Sequence, residues 1–178
     1  MTAAWYLRQA GHEVVVLDRQ AEAAQETSFA NGGQISVSHA EPWANPHAPW
    51  QAMRWMGRED APLLYRWRAD PALWAWSLAF LNECRPARTR ENIRQITALA
   101  LYSRQQLVEL RDGLGLQYEQ KQRGILHFYT DAAQFAAARR VAEQMRQYGC
   151  DRRIVDADEA VAIEPALVDM RSVWAMRG

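Results

Sequence analysis

The stretch AGHEVVVLDRQ, Ala10 to Gln20, constrains the fold more than any other part of this sequence. Val14-Val15-Val16-Leu17 is a continuous β-branched and apolar run between polar residues. That pattern suits a strand covered on both faces, as in a parallel sheet. Gly11 stands where a helix C-terminus takes a left-handed residue. Upstream, Thr2 to Ala10 combines helix formers with small residues that allow close packing on a sheet. Helix, glycine turn, buried strand and acid together make the back portion of a βαβ unit.

In a dinucleotide fold the acid at the end of the second strand accepts hydrogen bonds from an adenosine ribose. Asp18 occupies that position. The phosphate-binding part, G-x-G-x-x-G between a first strand and the helix, belongs about 20 residues before the acid. Only 17 residues precede Asp18, and none of the first nine is glycine. The chain is therefore expected to open inside the helix, without the pyrophosphate turn. An ordinary core strand followed by a surface acid accounts for VVVLD equally well, because motifs this short recur by chance.

The 178 residues are 49% hydrophobic and 24% charged, enough for one domain with a real core. Lys plus Arg and Asp plus Glu are both 21, so bulk charge recommends no nucleic-acid partner. Lys121 is the sole lysine. Cys84 and Cys150 lie far apart without metal or redox spacing, which predicts reduced thiols and a cytoplasmic setting. No signal peptide or membrane-spanning run is seen. The most apolar run, Ala72 to Leu81, is ten residues long and reads as a helix buried against neighbours. Its tryptophans make a shallow, peripheral contact with a membrane surface the alternative.

The pattern after Asp18 predicts a short helix within Arg19–Ala30, then a loop over Asn31–Pro49 punctuated by Gly32-Gly33 and three prolines. A tryptophan- and arginine-rich helical region follows from about Trp50 to Glu83. The longest helix starts near Arg88, with Ile93, Ile96, Ala100, Ser103, Leu107, Leu110 and Leu114 as its apolar stripe. Gly113 and Gly115 end it. Leu116–Glu119 and Gly124–Thr130 read as strands. Thr130 or Asp131 caps a helix to Gln147, Arg153–Val155 is a short strand, and Asp156 caps a last helix before Pro165. The fold class is α/β: an incomplete Rossmann-like domain over 1–49, an inserted helical region over 50–115, and the β-α-β start of an α+β domain over 116–178.

A second unusual stretch is ETSFANGGQIS, Glu26 to Ser36. It gathers Thr27, Ser28, Asn31 and Gln34 around Gly32-Gly33, shortly after the candidate ribose acid. Adjacent glycines let a backbone approach a ligand closely and turn amide N–H groups toward it. The bland explanation is a glycine-rich surface turn. These two stretches, with EPWANPHAP, YSRQQLVELRD, GLQYEQKQRGIL and VDADEAVAIEPAL, occur in one order across essentially the whole chain. In that order they resemble the small subunit of bacterial D-amino-acid dehydrogenase, within the D-amino-acid oxidase class of flavoproteins.

The resemblance implies FAD as cofactor and hydride transfer to it from the α-carbon of a D-amino acid such as D-alanine. The imino acid then hydrolyses to a 2-oxo acid and ammonia, and electrons leave for a respiratory acceptor. It assigns Asp18 to the adenosine ribose with Arg19 beside it, and places Thr27, Ser28, Asn31, Gly32, Gly33, Gln34 and Ile35 along FAD. It also implies that the substrate domain continues past Gly178, so that the chain as given is a fragment, expected to be inactive. Val37-Ser38-His39 departs from a Pro-Gly-Tyr-like stretch, and no catalytic residue is assigned. Two other readings are a flavoprotein amine oxidase of the glycine- or sarcosine-oxidase kind, and a non-enzymatic Arg/Trp-rich helical interaction module.

Overall fold

A computed structural model describes residues 1–62, 68–169 and 174–178. The chain divides into two compact units, Met1–Gln34 and Ile35–Gly178. This division follows packing, whereas the boundaries at 49/50 and 115/116 rest on sequence pattern.

The first unit holds one helix, α1 (Thr2–Gln9). It stops as expected: Gly11 has φ of +87°, and the N–H of His12 reaches back to the carbonyl of Leu7 at 3.1 Å. The predicted strand over Val14–Leu17 is not formed. Val15, Val16 and Leu17 are 79%, 53% and 92% exposed. A run of this kind becomes a strand only when neighbouring strands satisfy its N–H and C=O groups, and no described strand pairs with it. The short helix expected within 19–30 is also absent; bends and turns replace it, including Ala24 at a φ of +64°.

The second unit is built on a long helix and a small sheet. Helices α2 (Ala48–Trp55) and α3 (Pro71–Glu83) lie within the predicted tryptophan-rich region, of which residues 63–67 fall outside the described ones. Pro71 sits at the first position of α3, and Asp70 caps it by accepting from the N–H of Ala72 at 2.9 Å. The expected burial of this helix does not occur: none of its residues is buried.

Helix α4 spans Pro86–Leu114, 29 residues, and ends on Gly115 in the left-handed conformation. The N–H of Leu116 closes it on the carbonyl of Arg111 at 3.0 Å. Its buried residues are Thr89, Ile93 and Thr97. That stripe is rotated from the predicted one: Ile96 is 39% exposed while Thr97 is fully covered. Hydrophobicity alone assigned the face, and two threonines with small, partly apolar side chains took the inner positions.

Leu116–Glu119 forms no strand. Strand β1 (Leu126–Tyr129), helix α5 (Ala132–Gln147), strand β2 (Arg153–Val155) and helix α6 (Ala157–Ile163) appear where predicted. Asp131 caps α5 through the N–H of Gln134 at 2.7 Å, and Asp156 caps α6 through the N–H of Glu159 at 2.8 Å. Strand β3 (Trp174–Arg177) was not foreseen, yet it is the centre of the sheet, in the order β1-β3-β2 with both pairings antiparallel.

Alternation gives the sheet two faces. Ala175 and Val155 pack with Ala160 of α6 and Leu167. On the other face Phe135 of α5 lies between Tyr129 and Trp174, with ring centroids 5.8 and 6.1 Å away. A second core joins Ile93 of α4 to Val37, Ala40, Met145 and Cys150. Cys84 and Cys150 are both buried and free.

Candidate functional site

All the candidate residues from Asp18 to Gln34 lie in the first unit, and all are exposed. Asp18 accepts the main-chain N–H of Gln20 at 2.9 Å, which fixes the turn after the apolar run. Arg19 donates to the carboxylate of Glu26, and Gln20 donates to the same oxygen from Nε2 at 3.0 Å. Glu26 thus ties the candidate ribose turn to the start of the glycine loop. The Arg19 hydrogen bond, and then that of Gln20, hold the Glu26 carboxyl below its ordinary range. Sequence reasoning missed Glu26 and Gln20. The available signal was an arginine and a glutamate bracketing a turn, a weak one without the fold.

Asn31 organises the loop itself. Its Nδ2 donates to the carbonyls of Thr27 and Ser28 at 3.0 and 3.4 Å, and its Oδ1 accepts the N–H of Gly33 at 2.7 Å. This clip bends the chain so that Gly33 takes a φ of +58°, the left-handed region that glycine enters without penalty. A β-carbon placed on Gly32 or Gly33 meets nothing within 4 Å, so the backbone there is open to an approaching group. Exposed hydroxyls at Thr27 and Ser28 flank it. Gln34 closes the first unit and Ile35, 57% exposed, opens the second. Open glycine backbone, hydroxyls and a carboxylate on a turn form a donor and acceptor set that fits the ribose and edge of a flavin nucleotide.

A second polar cluster, which the sequence did not announce, lies wholly in the second unit. Arg152, immediately before β2, is 2% exposed. Its Nη1 donates to the carbonyl of Ser38 at 3.2 Å and reaches Glu41 at 3.5 Å; its Nη2 donates to the hydroxyl of Tyr129 at 3.0 Å. Its Nε has no partner among the described residues. The Oγ of Ser38 meets Nε2 of His127 at 3.2 Å, and the His127 ring stacks on His39 with centroids 6.0 Å apart. Burial, then Arg152, then His39 push the His127 imidazole below its ordinary range. His39 stood out in the sequence as a departure; here it belongs to this cluster.

Among the described residues no group of His, Cys, Asp and Glu is arranged to hold a metal ion, and no helix is long and apolar enough to cross a membrane.

Comparison with known proteins converges on the class that the loop chemistry suggests. The chain belongs to the FAD dependent oxidoreductase family, which matches it over residues 1–178. It is 62% identical over 170 residues to the D-amino acid dehydrogenase of Dechloromonas aromatica, covering 96% of this chain and 41% of that protein. The D-amino acid dehydrogenase of Paramagnetospirillum magneticum is 55% identical over 93% of the chain and 39% of its own length. That of Agrobacterium fabrum is 42% identical over 94% and 40%. The chain thus spans about 40% of the length of the curated relatives it matches. No solved structure gives a significant match.

Proposed function

We propose that this chain is the flavin-contacting portion of a D-amino-acid dehydrogenase, which oxidises D-amino acids such as D-alanine to 2-oxo acids and ammonia and passes electrons to a respiratory acceptor. The observation that carries the reading is 62% identity over 96% of the chain to a D-amino acid dehydrogenase. The open, left-handed Gly33 turn clipped by Asn31 supports it physically.

In this reading residues 2–18 are the helix and second strand of a Rossmann-like unit. Support comes from α1 and its Gly11 stop. FAD, when bound, supplies the two-electron chemistry. Asp18 binds the adenosine ribose, with Arg19 beside it already neutralised by Glu26. Thr27, Ser28, Asn31, Gly32, Gly33, Gln34 and Ile35 line the cofactor. Residues 50–115 form an insertion, and 116–178 begin the substrate domain.

We place the protein in the cytoplasm, at the inner face of the plasma membrane. The support is α3, which carries Trp74, Trp76, Leu78 and Leu81 at 54%, 55%, 69% and 49% exposure. Exposed Arg85, Arg88 and Arg90 follow directly. Exposed tryptophan and leucine beside arginine is the composition that seats on an anionic bilayer surface.

The test is a hybrid in which residues 1–178 replace the matching segment of the Dechloromonas aromatica dehydrogenase. It should retain FAD and reduce a dye in the presence of D-alanine. An FAD-bearing hybrid that ignores D-amino acids but oxidises glycine or sarcosine would overturn the reading.

A further inference from the structure

The cluster around Arg152 brings together residues far apart in sequence: Ser38, His39 and Glu41 from one loop, His127 and Tyr129 from β1, and Arg152 before β2. A buried guanidinium is costly unless its protons are met; this one donates to the main chain at Ser38, to Glu41 and to Tyr129, and its Nε is left without a partner among the described residues. Ser38 is wedged as well. A β-carbon placed on Gly178, which pairs with Ile125 at the sheet edge, would lie 2.5 Å from the Ser38 side chain. The loop at Ser38 is therefore fixed from three sides: by the guanidinium, by the imidazole of His127 and by the backbone of Gly178.

The charge balance in this space is narrow. Arg152 is already positive, and Glu41, at 3.5 Å and partly exposed, is its one carboxylate partner in the cluster. His127 faces Arg152, His39 and Ser38. From its own strand it has Tyr129 nearby; from β3 it has uncharged Met176 opposite, while the guanidinium of Arg177 is drawn away to the carbonyl of Arg123 at 2.9 Å. From α5 the group against Arg152 is Met145, through sulfur at 3.8 Å. Asp151 and Arg104 lie nearer Cys150, and both act on its thiol.

We propose that Ser38, His39, Glu41, His127, Tyr129 and Arg152 form a latch: Arg152 pins the backbone at Ser38–Glu41 against the sheet, and charging the His127 imidazole, stacked on His39, releases it. With the His127 ring neutral, its Nε2 is hydrogen-bonded to Ser38 Oγ at 3.2 Å. Protonation makes both nitrogens donors and places a second positive charge beside the guanidinium. The sign follows from linkage. A folded-state imidazole held below 6.5 binds fewer protons than the open state, so the closed latch weakens as pH falls below that value. The latch lies wholly in the second unit and does not rest on the function proposed above.

The test uses the 178-residue chain without flavin, so its failure and that of the flavin reading are separable. Hydrogen exchange of residues 37–41 is followed between about pH 7.5 and 5, corrected for intrinsic rates, with α5 as internal reference. Protection at 37–41 should be lost progressively as the pH falls through this range, while α5 holds. In His127→Gln the fall should vanish, and in His39→Gln, which removes a group that lowers the His127 imidazole, it should shrink. Arg152→Lys should lower protection of 37–41 at both pH values. Unchanged protection in the parent overturns the proposal, as does an equal loss in α5. So does a pH-dependent fall that survives intact in His39→Gln, a surface change that keeps the fold, or in His127→Gln.

Discussion

The Nη1 of Arg152 donates to the carbonyl oxygen of Ser38 at 3.2 Å, across 114 positions of sequence. This contact joins the loop after the glycine turn to the start of β2, and it is buried. Arg152→Ala strands the Ser38 carbonyl and the Tyr129 hydroxyl, each at about 1–3 kcal/mol for a buried group left unpaired. Chemical denaturation should show a loss in that range per group. Tyr129→Phe leaves one N–H of the buried guanidinium unmet, and should cost about 1.5–3 kcal/mol, the range for a hydrogen bond to a charged group. A loss for Arg152→Ala no larger than that for Tyr129→Phe would contradict the assignment.

Thr97 offers the opposite sign. It is fully covered on α4, and its hydroxyl oxygen has no hydrogen-bond partner among the described residues. Replacing the hydroxyl by a methyl in Thr97→Val removes an unmet polar group at nearly constant volume. The gain should be about 1 kcal/mol, from the lower end of the cost of an unsatisfied buried group. That corresponds to a rise in Tm of about 2–4 °C for a chain of this size. A fall in Tm would mean that the hydroxyl has a partner in solution.

Glu91 tests the electrostatics of the surface. Hydrogen bonds from Arg94, then Gln95, hold its carboxyl down to about 2. With the folded value below the unfolded one, any stabilisation is present above the ordinary range near 4.5 and lost as pH falls toward 2. The group is exposed to screening solvent, so the effect on stability is small. A carbon-detected titration should find Glu91 ionised at pH values where other glutamates are protonated, and Arg94→Gln should return it to the ordinary range.

The tryptophans of α3 give a surface prediction. Vesicles containing anionic phosphatidylserine should carry the chain with them in flotation, and vesicles of neutral phosphatidylcholine should not. Trp74→Ser with Trp76→Ser should abolish the association, because both residues are more than half exposed and tryptophan favours the interface. Salt should weaken it, since the neighbouring arginines act through screened charge. Equal flotation of the double variant would remove α3 as the contact.

Local signals were legible where they are satisfied locally. Asp70, Asp131 and Asp156 cap helices because their side chains reach N–H groups two or three residues away; Gly11 and Gly115 stop helices because only a left-handed residue fits there. What failed depends on partners distant in sequence. The apolar run Val14–Leu17 has the pattern of a strand, but a strand needs neighbours to pair with. Strand β3 carries Trp174, Ala175, Met176 and Arg177, too short and mixed a segment to stand out, and it becomes central only because β1 and β2 flank it. The Arg152 cluster was invisible for the same reason: no sequence window holds Ser38, His127 and Arg152 together. The glycine loop was legible because its clip, Asn31 to Gly33, closes within two residues.

That loop carries the last prediction. Gly33 has a φ of +58°, and a β-carbon there would touch nothing within 4 Å. The cost of Gly33→Val is therefore backbone strain and obstruction of a ligand, not a clash within the loop. A β-branched residue at positive φ is a genuine outlier, so the turn should rearrange and the Asn31 clip should break. In the hybrid dehydrogenase described above, Gly33→Val should lose FAD on desalting while the helix content by circular dichroism stays. Gly33→Ala should sit between, because a methyl strains the backbone less and obstructs little. Asp18→Ala should weaken FAD more gently, by about 1.5–3 kcal/mol for a hydrogen bond to a charged group, read by isothermal titration of the apo-protein. If Gly33→Val binds FAD as tightly as its parent with the fold intact, the Glu26–Ser36 loop does not line the flavin.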